Sequence, residues 1–404
     1  MAEHKHGPQA RRSILGAAAA ALLALSLAGC QIVPGGSAPP PLPPEPQAAR
    51  PEPEQPRPEV EAQPPLPASE ARHRVAVLVP LTGPNAGVGT SIANAANLAL
   101  LDLGGERIRI TVYDTAKGAQ AAANQALADG SRLFLGPLLA EDVRAVAPAA
   151  RRANVPVVSF SNDVSVAGGG VYLMGFTPGQ SVSRVVAHAR ASGASAFGAI
   201  ASEGVYGRRA SDAMVSAVAR AGGEVTGMET FERGLLGIRT AVGRLAGRGS
   251  ADAVLIGDSG RGAATAAPII KASALGDARI LGTELWATDT DLGKTAALRG
   301  AWYAGPPEAL FDQLRTRYRA RYGANPYRLA SLGYDAVLLT VRVAKDWRVG
   351  RPFPEGELRA RKGFTGVDGA FRFGADGIAE RSLEVREVTA AGTRVVSPAG
   401  TSFD

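Results

Sequence analysis

Arg74–Thr90, RVAVLVPLTGPNAGVGT, is the stretch that most constrains the fold. Val75, Ala76, Val77, Leu78 and Val79 form a short unbroken apolar run. Such a run suits a strand buried on both faces, as in a parallel sheet flanked by helices. Pro80 ends it, and a loop with Gly83, Pro84, Gly87 and Gly89 follows. Ile92, Ala96, Ala99, Leu100 and Leu103 then keep helical spacing. The stretch is a strand–loop–helix unit. In open α/β sheets ligands sit beyond the carboxyl ends of the strands, where helix-terminal amides are free to bond them. Thr82 in this loop is therefore a candidate binding residue, although the glycines equally suit a tight turn with no ligand.

The same alternation runs through the chain. Strands are expected at 107–115, 133–135 and 155–160, with helices at 116–129 and 138–153. After Tyr172–Phe176 the pattern restarts: helix 179–192, strand 196–201, helix 206–221, strand 224–230, helix 235–247, strand 252–257, helix 261–274, strand 279–282. Helices near 307–322 and 328–346 follow. In the tail, GAFRFGADG and SLEVREV read as an antiparallel hairpin. Two runs of βα units predict an α/β fold of two doubly wound parallel-sheet lobes, with the cleft between them as the default ligand site.

The N-terminus is an address. Lys5, Arg11 and Arg12 precede the apolar run Ile14–Leu27, which is short for a permanent membrane span. The run closes on Leu27-Ala28-Gly29-Cys30, and Cys30 is the only cysteine. This matches a bacterial lipobox, so residues 1–29 are expected to be a signal peptide and Cys30 the lipidated N-terminus. Gln31 rather than Asp after the cysteine implies sorting to the periplasmic face of the outer membrane. Of the 28 prolines, fourteen fall within residues 31–70, among Glu, Gln and Ala. That composition favours extended polyproline II over a packed core. Residues 30–72 are thus a lipidated cysteine and a tether reaching roughly 120 Å.

Net charge is +7 with pI near 9.7, which invites nucleic acid as a partner. No Lys/Arg block with interleaved aromatics accompanies it, and aromatics are only 5%, so no nucleic acid is expected. Catalytic lookalikes fail on spacing. A dinucleotide fingerprint starting at Gly87 needs Gly or Ala where Ile92 stands. A phosphate loop ending at Lys294 needs Gly where Thr288 stands. Around Ser259 a nucleophile elbow needs Gly at Arg261. His188 is the one histidine expected inside the folded region, with His73 at the end of the tether, and no metal-ligand cluster is found. The chain is expected to be neither an enzyme nor cofactor-dependent.

Taken in order and spacing, VAVLVPLTGPNAGVG, LFLGPLL, NVPVVSFSND, EGVYGRRASDAM and DAVLIGDSGRGAATAAPII resemble the type I periplasmic binding proteins of the leucine-binding-protein family, over roughly residues 73–390. The resemblance implies two lobes joined by three crossing segments that close by hinge motion. The crossings are expected near Met174–Thr177, Ala304–Pro307 and Trp347–Pro352. Lobe 1 is then residues 73–176 plus 305–350, and lobe 2 is 177–304 plus 351–404.

The resemblance also implies cleft residues, and the chain departs from the amino-acid-binding members there. Leu139, Ala140, Glu141 and Asp142 stand where those members carry a serine-rich turn. Asp163 stands where a carboxylate-binding hydroxyl is expected, and it would repel an amino-acid carboxylate. The ammonium-holding acid falls near Arg261, with Asp258 as a stand-in if the alignment slips. Ser159, Ser161 and Tyr206 match cleft positions, and Trp286 either lines the cleft or packs below it. Two functions follow as expectations. GPLL and DAVLIGDSGRGAATAAPI resemble the LpoA-type activators of penicillin-binding proteins, whose partner is a peptidoglycan synthase. The other function is delivery of an amino acid or related small molecule to an ABC transporter.

Overall fold

The two faces of β1 (His73–Val79) organise the first lobe. Val75, Val77 and Val79 point into one apolar cluster and Ala76 and Leu78 into another. A strand with both faces covered is what an unbroken apolar run demands. The computed structural model describes residues 72–403; the expected signal peptide, Cys30 and the tether up to residue 71 lie outside the described residues.

The first lobe continues with α1 (Ala86–Asp102), β2 (Ile108–Asp114), α2 (Ala119–Ala128), β3 (Leu133–Leu135), α3 (Ala140–Arg152), β4 (Val157–Ser159) and β5 (Val171–Leu173). The sheet is parallel in the order β2-β1-β3-β4-β5. One of its faces packs against α2 and α3. Gly89 is required rather than merely permissive, because a Cβ there would sit 1.8 Å from the Pro80 carbonyl oxygen. That contact sets α1 against the end of β1.

The chain then crosses at residues 174–177 into α4 (Pro178–Ala191), β6 (Ala196–Ser202), α5 (Val205–Ala221), β7 (Glu224–Phe231), α6 (Leu235–Ala246), β8 (Ala253–Gly257), α7 (Gly260–Lys271), β9 (Arg279–Gly282) and β10 (Trp302–Gly305). These strands are parallel in the order β7-β6-β8-β9-β10. Again the strands alternate: Val254 and Ile256 join the cluster under α6 and α7, while Ala253 and Leu255 join the one under α4 and α5. From β10 the chain returns to the first lobe as α8 (Ala309–Tyr322) and α9 (Ala330–Val343), and the latter packs along α1. The alternating βα pattern thus produces the expected α/β architecture of two parallel-sheet lobes, the second carrying an antiparallel edge.

The C-terminal segment departs from the expectation. GAFRF forms β12 (Gly369–Phe373) between β11 (Phe364–Gly366) and β13 (Ala379–Arg381), a small antiparallel sheet of its own. Its turn folds at Asp376, whose Oδ1 accepts the Ile378 N–H at 3.0 Å. SLEVREV instead supplies β14 (Glu384–Thr389), antiparallel to β10 and to β15 (Gly392–Ser397). The two segments expected to form one hairpin therefore belong to different sheets. Apolar burial is the reason: Phe364, Phe371 and Phe373 enter the first lobe's core, while Val385 and Val388 enter the second's. Residues 351–381 thus pack with lobe 1, not lobe 2, and the third crossing is at Ser382–Leu383, not Trp347–Pro352. Trp347 is buried in lobe 1, stacked on His73 with ring centroids 3.7 Å apart.

Beside the crossings lies a buried group of four charges. Arg328 Nη1 is 2.6 Å from Asp368 Oδ1, and Asp335 accepts the Val367 N–H at 2.7 Å and the Asp368 N–H at 3.3 Å. Arg381 Nη2 donates to the Met174 carbonyl at 2.6 Å, and its guanidinium lies over Phe176 and Phe371. Burial and the Asp368 charge both push the Asp335 carboxyl above the usual range. The group joins the first crossing, through Met174, to the third, through Arg381.

Candidate interlobe cleft

The loops that follow the parallel strands of the two lobes meet across a cleft. Asp163, in the loop after β4, forms an ion pair with Arg209 of α5 and a second with Arg144 of α3 at 3.2 Å. Arg209 Nη1 also donates to the Asn162 carbonyl at 3.4 Å. Burial opposes ionisation of Asp163, but the Ser165 hydroxyl and amide and the Arg209 guanidinium outweigh it and hold the carboxyl down at about 2. The residue expected to repel a ligand carboxylate is therefore committed to the opposite lobe. Around this bridge is a mouth of about 770 Å³ lined by charged side chains of both lobes, including Glu141, Arg144, Arg208 and Asp212.

Deeper in, towards the crossings, is a chamber of about 370 Å³ bounded by Leu138, Leu139, Phe160, Phe176, Leu285 and Leu329. Glu284, which follows β9, reaches it. Its Oε1 lies 2.9 Å from the Tyr206 hydroxyl, and its Oε2 accepts from Ser181. The Tyr206 oxygen is also 2.7 Å from Thr283 Oγ1, so it can accept one hydrogen and donate the other. Burial raises the Glu284 carboxyl above its ordinary range, with Ser181 and Tyr206 only partly opposing that shift. Burial and the adjacent Glu284 in turn push the Tyr206 phenol well up.

The remaining candidates separate. Ser161 lines the mouth, and its Oγ accepts the Asp163 N–H at 3.1 Å. Ser159 is fully buried, donating to the Pro137 carbonyl at 2.9 Å and accepting the Ser161 N–H at 3.0 Å, so its hydroxyl supports the loop. Thr82 is exposed and donates to Asp114 at 2.9 Å; it lines neither the mouth nor the chamber. Asp258 and Arg261 face a separate groove of about 910 Å³ on the second lobe, which Tyr206 also borders. Trp286 is fully buried, with its indole N–H donating to the Asp258 carbonyl at 3.0 Å. A Cβ at Gly282 would lie 2.3 Å from its ring, so the tryptophan packs on the end of β9 and lines no cleft wall.

Glu284, Ser181 and Arg209 were not singled out from the sequence. Arg209 lies inside the motif EGVYGRRASDAM, whose second arginine was the available signal. Among the described residues no group of three His, Cys, Asp or Glu could hold a metal ion, and no helix is long and apolar enough to cross a membrane.

The sequence profile of the periplasmic binding proteins matches residues 73–393. The chain belongs to the periplasmic binding protein family. None of the curated proteins matches this periplasmic binding protein in sequence. Among solved structures it is similar to a putative branched-chain amino acid ABC transporter protein from Rhodospirillum rubrum, with 21% identity and a TM-score of 0.69 over 80% of this chain and 100% of that one. It is similar to the leucine binding protein LivK of Thermotoga maritima, with 20% identity and a TM-score of 0.60 over 81% of this chain and 99% of that one. Full-length LpoA of Haemophilus influenzae is also similar, with 18% identity and a TM-score of 0.63 over 81% of this chain but only 59% of LpoA. At these identities the likeness is one of fold, which transport receptors and LpoA share.

Proposed function

We propose that this periplasmic binding protein is an outer-membrane lipoprotein that activates a peptidoglycan synthase of the penicillin-binding-protein class without catalysing a reaction itself. The Asp163–Arg209 bridge carries the reading. In an amino-acid receptor the cleft must offer the ligand's carboxylate and ammonium uncommitted partners, whereas here Asp163 is held by Arg209 and Arg144. Ser159, which could have donated to a carboxylate, is used inside its own lobe. The lipobox and long tether favour the same reading, because they would let the folded part reach an inner-membrane partner.

A protein partner also fits the rim of the cleft. Val205, Leu235 and Leu236 open α5 and α6 on the second lobe and are 55%, 51% and 79% exposed. Exposed apolar side chains at the starts of two helices that follow the neighbouring strands β6 and β7 suit a protein interface better than solvent.

The second reading, a solute receptor for an ABC transporter, is favoured by the retained inner chamber. The two are separated by thermal unfolding in the presence of the twenty amino acids. A ligand at 100 times its dissociation constant stabilises a fold by about 2.7 kcal/mol. A clear rise with one amino-acid class would make the protein a receptor; no rise with any of them supports the activator.

A further inference from the structure

We infer that the inner chamber binds a small, electrically neutral molecule with a mainly apolar body and an amide or hydroxyl head. This goes beyond the activator reading and does not depend on it. The chamber's size is that of a small-molecule site, and its walls are chiefly leucine and phenylalanine from both lobes.

Its charges are what define the ligand. Only two ionisable side chains line it, Glu284 from one lobe and Arg328 from the other. Arg328 is already paired with Asp368 at 2.6 Å, its guanidinium lies over Phe311 at 4.2 Å, and its Nε and Nη2 are closed off from solvent. Both oxygens of Glu284 are occupied by Tyr206 and Ser181, and burial favours its uncharged form. Neither end offers a counter-charge, so an ionic ligand would lose its hydration without a partner.

Uncharged hydrogen-bonding groups do remain. The side-chain amides of Asn85 and Asn162 border the chamber, and no described residue hydrogen-bonds to either. Each offers one acceptor and two donors, which suits an amide or hydroxyl. Asn162 also borders the outer mouth, and its carbonyl accepts from Arg209. The interlobe ion pair therefore stands beside the way in.

The test uses three probes of one shape that differ in charge: benzamide, benzoate and benzylamine. Each is titrated calorimetrically into the mature protein at pH 7. Benzamide is expected to bind saturably, one to one, and at least about tenfold more tightly than either ion. Leu139→Trp and Leu285→Trp would fill the chamber from opposite lobes, and each is expected to weaken benzamide at least about tenfold while the circular dichroism spectrum is unchanged. Absence of saturable benzamide binding overturns the inference, as does tighter binding of benzoate or benzylamine. So does benzamide binding that persists unweakened in either folded variant.

Discussion

The carboxylate of Asp163 in the first lobe is paired with the guanidinium of Arg209 in the second. This ion pair, together with the Arg209 donation to the Asn162 carbonyl, joins the loop after β4 to the first turns of α5, at the mouth of the cleft. Arg209→Ala is expected to favour an open cleft, seen as a longer interlobe distance by spin labels on α3 and α5. Asp163 sits depressed at about 2 against an ordinary 3.8. Its contribution is therefore present above the ordinary value and lost as pH falls from about 4 towards 2. Allowing for partial exposure of the arginines, the variant should lose about 1–2 kcal/mol at pH 7. It should also show less acid sensitivity between those pH values.

Tyr206 and Glu284 have the opposite sign. The raised Glu284 carboxyl gives stability that is full below its ordinary 4.5 and lost as pH rises through its folded value. Glu284→Gln stays neutral and should flatten the stability profile above pH 5, being at least as stable as the parent at pH 7. Tyr206→Phe should cost about 1 kcal/mol by removing a hydrogen-bond donor from Glu284. Urea unfolding from pH 4.5 to 7.5 checks both.

Arg381→Ala removes one member of the buried four-charge group and frees the Met174 carbonyl. Loss of one buried partner typically costs about 3–5 kcal/mol. Because Arg381 ties the third crossing to the first, proteolysis at residues 382–383 should accelerate along with the fall in unfolding midpoint.

Leu236 is 79% exposed, so Leu236→Glu should change stability by no more than about 0.5 kcal/mol. The same change should abolish capture of the synthase if the rim of the second lobe is the docking face. Surface plasmon resonance with the purified partner measures this.

The two-lobed fold was legible because β1, β6 and β8 are short apolar runs followed by helices of regular spacing, a pattern that few architectures accommodate. The tail was not. GAFRF and SLEVREV both alternate, and local pattern carries no information on which sheet a strand joins; Phe371 and Val385 settle that by entering different cores. The cleft was partly legible. Ser161 lines the interlobe mouth, whereas Tyr206 borders the groove on the second lobe; for Trp286 the sequence left two placements open, because a tryptophan after a strand looks the same whether it caps a core or a cleft. Glu284 was missed because its role depends on Tyr206 and Ser181, 78 and 103 residues away in the chain.

The most direct test of the central proposal is capture of penicillin-binding proteins by the immobilised mature protein. Detergent-solubilised inner membranes from the same bacterium are passed over it, and the retained fraction is labelled with a fluorescent penicillin. The expected result is one retained labelled synthase, lost with Leu236→Glu and retained with Tyr206→Phe. No labelled band, together with a clear thermal shift by one class of amino acid, would contradict the activator account and make the protein a transport receptor.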